Sequence, residues 1–485
     1  MRYRTIAAAT IFIVGLSGSS YAAEVNEQGA KDLRNTLTRF LSQDIIDSGF
    51  LTVKPTSGRY EVTYDLTKFL DRISTSNFVV EGLKPLSMFA EPTAKGLWNI
   101  DGDNAFDISA HSKSGEGPAT DMRYAMGSLV YSGVFDPAIG YMRSLDVTAR
   151  DFKLSSATGD ERIEAGASGM AYKLSSVDTA KPGTIDILSS GSMPDFHEKI
   201  SSAAPGSAEI KADNVTFDAK ATGVPIRELH ALLNFVLDHA KAKKLSKRGS
   251  DRFEKLVRDA LPLFVSLDET AAANNVSVVT DVGRLALSKL TYSFKMNGLT
   301  EASSIGFGLR AEDMKLETSA VPAVYQALVP DAAVVEVGIP DMNFAAAAHI
   351  LLDTDFSTGE GLSTEKSQKI QQAVFPNDRL TIDFPEISAR SSVYDIEVSG
   401  KMTSNLLQTK EYGLQMSVLA RDYDKTIAYV QNAAKTDPEL NQVSFVMMMA
   451  KGFAKADPDG RQRWDVSVSE DGTFTVNGQV VTAPK

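Results

Sequence analysis

Apolar residues recur at mostly three- and four-residue steps through Ala30, Leu33, Leu37, Phe40, Leu41 and Ile45. That spacing places one apolar stripe on one face of a helix. Its polar side mixes Lys31, Asp32, Arg34 and Arg39. A helix lying on a membrane usually has a strongly basic polar face, so this stripe is expected to pack on a core. Further on, the period falls to two residues. Tyr60-Glu61-Val62-Thr63-Tyr64 alternates apolar and polar, which predicts a half-buried strand. The same alternation marks Asp146 to Leu154, Ala208 to Ala219, Leu285 to Met296, Ile305 to Leu316, Val334 to Val337, Val393 to Val398 and Trp464 to Val468. Gly, Ser, Asn and Asp punctuate these runs, as turns require.

Several runs share a local pattern: a polar or acidic break, then an apolar–polar–apolar triplet. It is present in Ala149-Arg150-Asp151-Phe152-Lys153-Leu154, Ala212-Asp213-Asn214-Val215-Thr216-Phe217 and Ala311-Glu312-Asp313-Met314-Lys315-Leu316. Ile339 to Phe344 and Phe384 to Ala389 are similar. The physical reading is strand, a kink or bulge, then more strand on the same face. The spacing is irregular, so this is not a fixed-period repeat, and chance likeness among half-buried strands is the competing reading.

Two helical hairpins are predicted between the strands. Pro225 suits a first helical turn, and Ile226, Leu229, Leu233, Val236, Leu237 and Ala240 share a face. A basic segment then leads to a second helix expected to start with Ser250 as N-cap. The later hairpin begins at Asp422 with Tyr423, Ile427 and Val430, and resumes after Asp437-Pro438 with Leu440, Val443, Met447 and Ala450. Trp464 to Val468, Asp471-Gly472 and Asn477-Gly478 predict a terminal β-hairpin. Strands and helices are segregated, which favours an α+β, mainly antiparallel fold with long curved or layered sheets interrupted by the two helical hairpins.

The expected organisation is 1–22 signal peptide, 23–224 helix plus β-rich region, 225–264 helical hairpin, 265–421 β-rich region and 422–485 helical hairpin plus β-hairpin. The breaks fall near 224 and 365, and 23–485 can equally be one continuous architecture. Arg2 and Arg4 precede an apolar run from Ile6 to Leu16, and Ser20-Tyr21-Ala22 is a small-x-small cleavage site, with Ala23 as the neighbouring alternative. This is the pattern of a secretory signal. The run is much shorter than the ~20 residues a spanning helix needs, and no later stretch is longer. The expectation is therefore a periplasmic chain without a transmembrane segment after cleavage.

Composition narrows the chemistry. With 43% hydrophobic and 23% charged residues the chain is too apolar for disorder. It has no cysteine, which excludes disulfides, a lipidated N-terminal cysteine, thiol catalysis and thiolate metal sites. The net charge of −12 disfavours nucleic-acid binding and broad adhesion to anionic membranes. Against that background Lys241, Lys243, Lys244, Lys247 and Arg248 form a local basic segment. Its plain reading is a solvated helix C-terminus, where cations meet the negative end of the dipole; the sharper one is contact with anionic lipid headgroups.

There is no Gly-x-Ser-x-Gly elbow, Walker loop or His-Glu-x-x-His motif. His230 and His239 sit nine residues apart on one predicted helix and point to opposite faces; His349 lies in an alanine-rich run and is expected to be packed or partly exposed. Asp101, Asp103 and Asp107, and Asp457, Asp459 and Gly460, fail the calcium-loop pattern and are expected to be turn residues. Met447, Met448 and Met449 are expected in the core, with an adaptable groove as the alternative. No catalytic residue, metal ligand or cofactor is predicted.

Arg461-Gln462-Arg463-Trp464-Asp465-Val466-Ser467-Val468, followed by Asp471-Gly472-Thr473-Phe474-Thr475-Val476-Asn477-Gly478, resembles the end of the exported alphaproteobacterial domain-of-unknown-function family 2125. The order of features before it is similar across most of the chain after the leader. The exported YdgA-like family has a comparable layout and is the alternative. Neither resemblance supplies catalytic residues. The β-layers also resemble those of AsmA-like envelope proteins, whose curved sheets form lipid-holding grooves. The function expected is a non-catalytic periplasmic envelope protein, with a lipid or other apolar ligand in a β-lined groove, or an envelope protein as partner. A protein-interaction scaffold is the alternative, and a hydrolase of unfamiliar type the third.

Overall fold

The computed structural model describes residues 25–482 apart from 40, 42, 69–77, 114–116, 204–205, 240–243, 354–362 and 408–411, with the backbone alone at 44. The predicted leader with Ala22 and Ala23, and Lys241 and Lys243 of the basic segment, lie outside the described residues.

The fold is mostly antiparallel β. The strands are β1 (Leu51–Pro55), β2 (Tyr60–Tyr64), β3 (Phe78–Glu81), β4 (Leu86–Pro92), β5 (Trp98–Ser112), β6 (Thr120–Asp136), β7 (Tyr141–Thr158), β8 (Glu161–Asp178), β9 (Ile185–Ser201), β10 (Ser207–Val224) and β11 (Ser266–Thr280). They continue with β12 (Gly283–Asn297), β13 (Ser303–Glu312), β14 (Lys315–Thr318), β15 (Ala332–Met342), β16 (Arg379–Arg390), β17 (Asp395–Asn405), β18 (Tyr412–Arg421), β19 (Lys455–Ala456), β20 (Gln462–Val468), β21 (Phe474–Val476) and β22 (Gln479–Thr482). These 22 strands of the described residues form one hydrogen-bonded sheet. From β5 to β13 each strand pairs with the next. The meander then runs β13–β15–β16–β17–β18–β20–β21–β22. The sheet crosses positions 224 and 365 without a break, because β10 pairs β11 and β15 pairs β16.

Helices enter only at connections. α1 (Glu27–Thr38) precedes the sheet and is capped by Asn26, whose side chain accepts from Gly29 N–H. α2 (Ile226–His239) and α3 (Lys247–Ala260) lie between β10 and β11. α4 (Phe344–Leu352) and α5 (Thr364–Val374) lie between β15 and β16; α6 (Tyr423–Ala433) and α7 (Leu440–Phe453) follow β18. The α4–α5 pair falls in a region expected to be β-rich. Its caps are local: Asn343 accepts from Ala346 N–H and Ser363 from Lys366 N–H, which satisfies donors that the first helical turn leaves unpaired.

The start of α3 also differs from expectation. Ser246, not Ser250, is the N-cap, accepting from Gly249 N–H at 3.1 Å. Ser250 is buried in the first turn. Lys247 and Arg248 therefore open α3 at the positive end of its dipole instead of ending a helix at the negative one.

Aspartates and an asparagine bend the sheet along one line. Asp151, Asp195, Asn275 and Asp313 have φ of 55°, 53°, 50° and 50°, the left-handed region that Asp and Asn enter at lower cost than bulkier residues. They occupy alternate strands, β7, β9 and β11, and the step from β13 to β14. Polar contacts link the line: Ser168 Oγ donates to Asp195 Oδ2 at 2.6 Å and Asn275 Nδ2 to Asp213 Oδ2 at 2.8 Å. The register with both neighbouring strands runs unbroken through Asp151, so no residue is inserted there; the left-handed backbone shifts the alternation instead, and Ala149 and Phe152 of β7 both turn inward to one face. On that face Ala149, Ala167, Ala212, Val276 and Leu287 are buried. Phe196 and Met314 from one side of the line, and Val215 and Leu290 from the other, close on the same cluster. The bend is thus concave on the apolar face.

Candidate functional site

Antiparallel partners stand side by side on one face. One register row carries an apolar residue or glycine from each of fourteen strands: Gly102, Tyr131, Val147, Tyr172, Gly191, Phe217, Ala271, Tyr292, Leu309, Val335, Ile387, Val398, Val418 and Trp464. At ~4.8 Å per strand the row runs roughly 60 Å along the sheet. Two glycines do not interrupt it. A Cβ on Gly191 would meet the Phe217 ring at 2.1 Å, and one on Gly102 the Tyr131 ring at 2.4 Å. The neighbouring ring therefore lies over each gap, and Tyr172 and Phe217 stack across Gly191 with centroids 6.1 Å apart. The row alongside is also apolar in part, with Leu145 beside Leu174 and Phe294 beside Phe307 at 5.2 Å.

Both ends of this face are covered. At the β2–β5 end, α1 lays Ala30 and Leu33 over Tyr60, Val62, Ala90 and Ile100. At the β20 end, Trp464 is packed by Tyr423 and Ala454 and donates Nε1–H to the Ala450 carbonyl of α7 at 2.7 Å. The middle is open. Tyr292, Leu309, Val335 and Ile387, consecutive in the row, are 40%, 48%, 44% and 38% exposed, and Phe307 beside them is 49%. None of the four buried clusters among the described residues contains them. Soluble proteins rarely leave such contiguous apolar surface uncovered without a binding role.

The opposite face is polar and paired. Asp146, Lys173, Ser190, Asp218 and Thr270 stand in register across β7 to β11, with Lys173 Nζ 3.3 Å from Asp146. Near the crease a cleft of about 1120 Å³ is lined by Arg123, Asp151, Lys153, Asp195, His197 and Lys199 among others. Beneath α1 lies a smaller cavity of about 240 Å³, lined by Leu33, Leu37, Tyr64, Met88, Trp98 and Met142 among others. Burial pushes the Tyr64 hydroxyl up to about 12, with a smaller contribution from Tyr131.

Candidates singled out by sequence take other roles. Asp101, Asp103 and Asp107 are on β5, outward-facing at alternate positions, not in a turn. Asp107 is held by Arg123, Nε to Oδ1 at 2.7 Å, which keeps its carboxyl below the usual range, and Asp101 lies 3.4 Å from Arg59. Asp457 to Gly460 does form a turn, with Gly460 N–H donating to Asp457 O at 3.0 Å. Asp459 is paired with Arg461 at 2.6 Å. His349 Nδ1 lies 2.6 Å from an Arg258 nitrogen, and Arg258 also holds Asp353 at 2.9 Å. His230 is driven towards its neutral form by burial first and Arg39 second. Among the described residues no three His, Asp or Glu converge as a metal site. Lys244, Lys247 and Arg248 are exposed, and Lys247 is paired with Asp251 at 3.4 Å.

Met448 and Met449 are not core. They are exposed, as are Val443, Phe445 and Val446, because α7 turns Ser444 and Met447 inward and leaves the rest of its circumference outside. No described helix is long and apolar enough to cross a membrane. No family model matches the chain, and neither a curated protein nor a solved structure matches it.

Proposed function

We propose that this chain is an exported envelope protein that holds the hydrocarbon part of a lipid along the apolar face of its sheet. One observation carries the reading: the row through Tyr292, Leu309, Val335 and Ile387 stays exposed in mid-sheet while both ends of the same face are capped. The crease makes the face concave, and a concave apolar surface with polar surroundings suits a ligand with one oily part. A bound chain would gain about 25 cal/mol for each Å² of apolar surface removed from water.

Native mass spectrometry of the purified protein, followed by organic extraction, tests the reading. A co-purifying lipid, or stoichiometric uptake of a fatty acid, is the expected result. Protein that carries nothing and takes up nothing would remove it. Export rests on the Arg2 to Ala22 pattern. N-terminal sequencing of the periplasmic fraction should find a start at Ala23 or Glu24; an intact chain confined to the cytoplasm would overturn export.

A second reading is favoured by α7, whose outward apolar residues fit a protein partner. Crosslinking from position 449 in cells separates the two. A specific protein adduct supports the scaffold, and lipid uptake without an adduct supports the holder.

A further inference from the structure

We propose that the cavity beneath α1 seats the methyl end of the bound hydrocarbon chain, which fixes the direction in which the ligand lies. This rests on the lipid-holding reading above and adds a terminus to it.

Leu33 and Leu37 of α1 line the cavity together with Met88, Trp98, Ile100 and Met142 of the sheet. Its lining has no charged residue. Its volume of about 240 Å³ exceeds the ~150 Å³ of an apolar cavity that stays dry and admits benzene. Water gains little there, whereas methylene groups gain contacts that an empty void forfeits.

It is also continuous with the open face. Ile100 of the lining is registered with Gly133, Gly133 with Leu145, and Leu145 with Leu174. That sequence of partners leads from the cavity along the apolar face towards the exposed middle. At Gly133 the Met142 methyl, itself part of the cavity lining, lies 2.8 Å from where a Cβ would stand, so the surface between Ile100 and Leu145 stays apolar. The raised Tyr64 hydroxyl fits the same apolar surroundings. The larger cleft at the crease is a mixed surface, with Phe106, Met126 and Phe152 beside Arg123, Lys153 and Glu164, whereas the cavity beneath α1 has no charged residue in its lining. The far end of the row does not offer an equivalent seat, because the Trp464 ring is buried there against Tyr423. A carboxylate or other polar head is thereby left over mid-sheet, where it meets water.

The chain has two tryptophans, and Trp98 lines the cavity while Trp464 marks the other end. Stearic acid brominated near its methyl end, and stearic acid brominated near its carboxylate, are the probes. Both should bind the full-length protein in equilibrium dialysis. Methyl-end bromines should quench most of the Trp98 emission and carboxylate-proximal bromines little of it, with the difference lost in Trp98→Phe. Leu37→Phe fills the cavity from the helix side and Met88→Phe from the sheet side. Whichever variant keeps the thermal midpoint should shift preference towards shorter fatty acids. Equal quenching by both probes, stronger quenching from the carboxylate side, or an unchanged chain-length preference in a folded filled variant overturns the seat while leaving lipid holding intact. Failure of both probes to bind overturns lipid holding itself.

Discussion

The β2–β5 end of the apolar face and its middle at β12–β16 are built from the same alternating pattern and end in opposite states. Val62 is 0% exposed under α1, whereas Leu309 is 48% exposed. Both are apolar residues on antiparallel strands, Val62 between Glu61 and Thr63 and Leu309 between Gly308 and Arg310. The difference is a helix: α1 is long enough to lay Ala30 and Leu33 on the first strands, whereas none of the four buried clusters among the described residues contains Leu309. The capped end has the character of a protein core, and the middle that of exposed apolar surface.

The largest effect should come from charging the open middle. Leu309→Asp with Val335→Asp should abolish lipid uptake in native mass spectrometry while the urea midpoint changes little. Retained uptake would erase the functional contrast between the two regions. Truncation at the capped end comes next. Tyr60→Ala removes a ring packed on Trp98 at 5.7 Å and should cost about 3–5 kcal/mol, as for large aromatics in cores. Leu309→Ala should cost no more than about 1 kcal/mol. Equal losses in urea titrations would show that the middle is as sealed as the end.

The third test is alkaline. Tyr64 goes from 10.0 to about 12 on folding, so the folded state keeps its proton where the unfolded state has lost it. Stability is fully present below the unfolded value and falls as pH rises from 10 to 12. The contribution at stake is about 3 kcal/mol. In Tyr64→Phe that part of the alkaline loss should vanish from pH-dependent unfolding curves.

The smallest effect concerns the crease shared by both regions. Asp151→Gly should be nearly neutral, and Asp151→Val should cost about 1–2 kcal/mol by forcing a branched residue into left-handed geometry. Indistinguishable thermal midpoints for the two variants would deny the kink its structural role.

Much of the β architecture was readable because a strand's period of two survives any tertiary context. Tyr60 to Tyr64 and Trp464 to Val468 are strands as the alternation predicts. The acidic breaks at Asp151 and Asp313 were visible too, since few other residues tolerate that backbone. The α4–α5 pair was not. Ala345 to Ala348 gives almost no polar contrast around a helix, so periodicity was silent, although Asn343 and Ser363 were legible caps. Ser246 and Ser250 stand four residues apart and both have the chemistry of a cap, and only the backbone at Ser246 decides between them. The candidate site was legible as apolar positions, but not as an open row, because a residue facing a groove and one facing a core alternate identically.

By itself, then, the sequence determined the strands, the acidic kinks, the absence of thiol chemistry and the excess of negative charge, all of which depend on residue type and near neighbours. The tertiary structure decided which apolar residues are sealed. That depends on the register carrying Tyr292 to Leu309, Val335 and Ile387, and on where α1 and α7 reach and stop. Those distances are set across hundreds of residues, beyond the range of any local pattern.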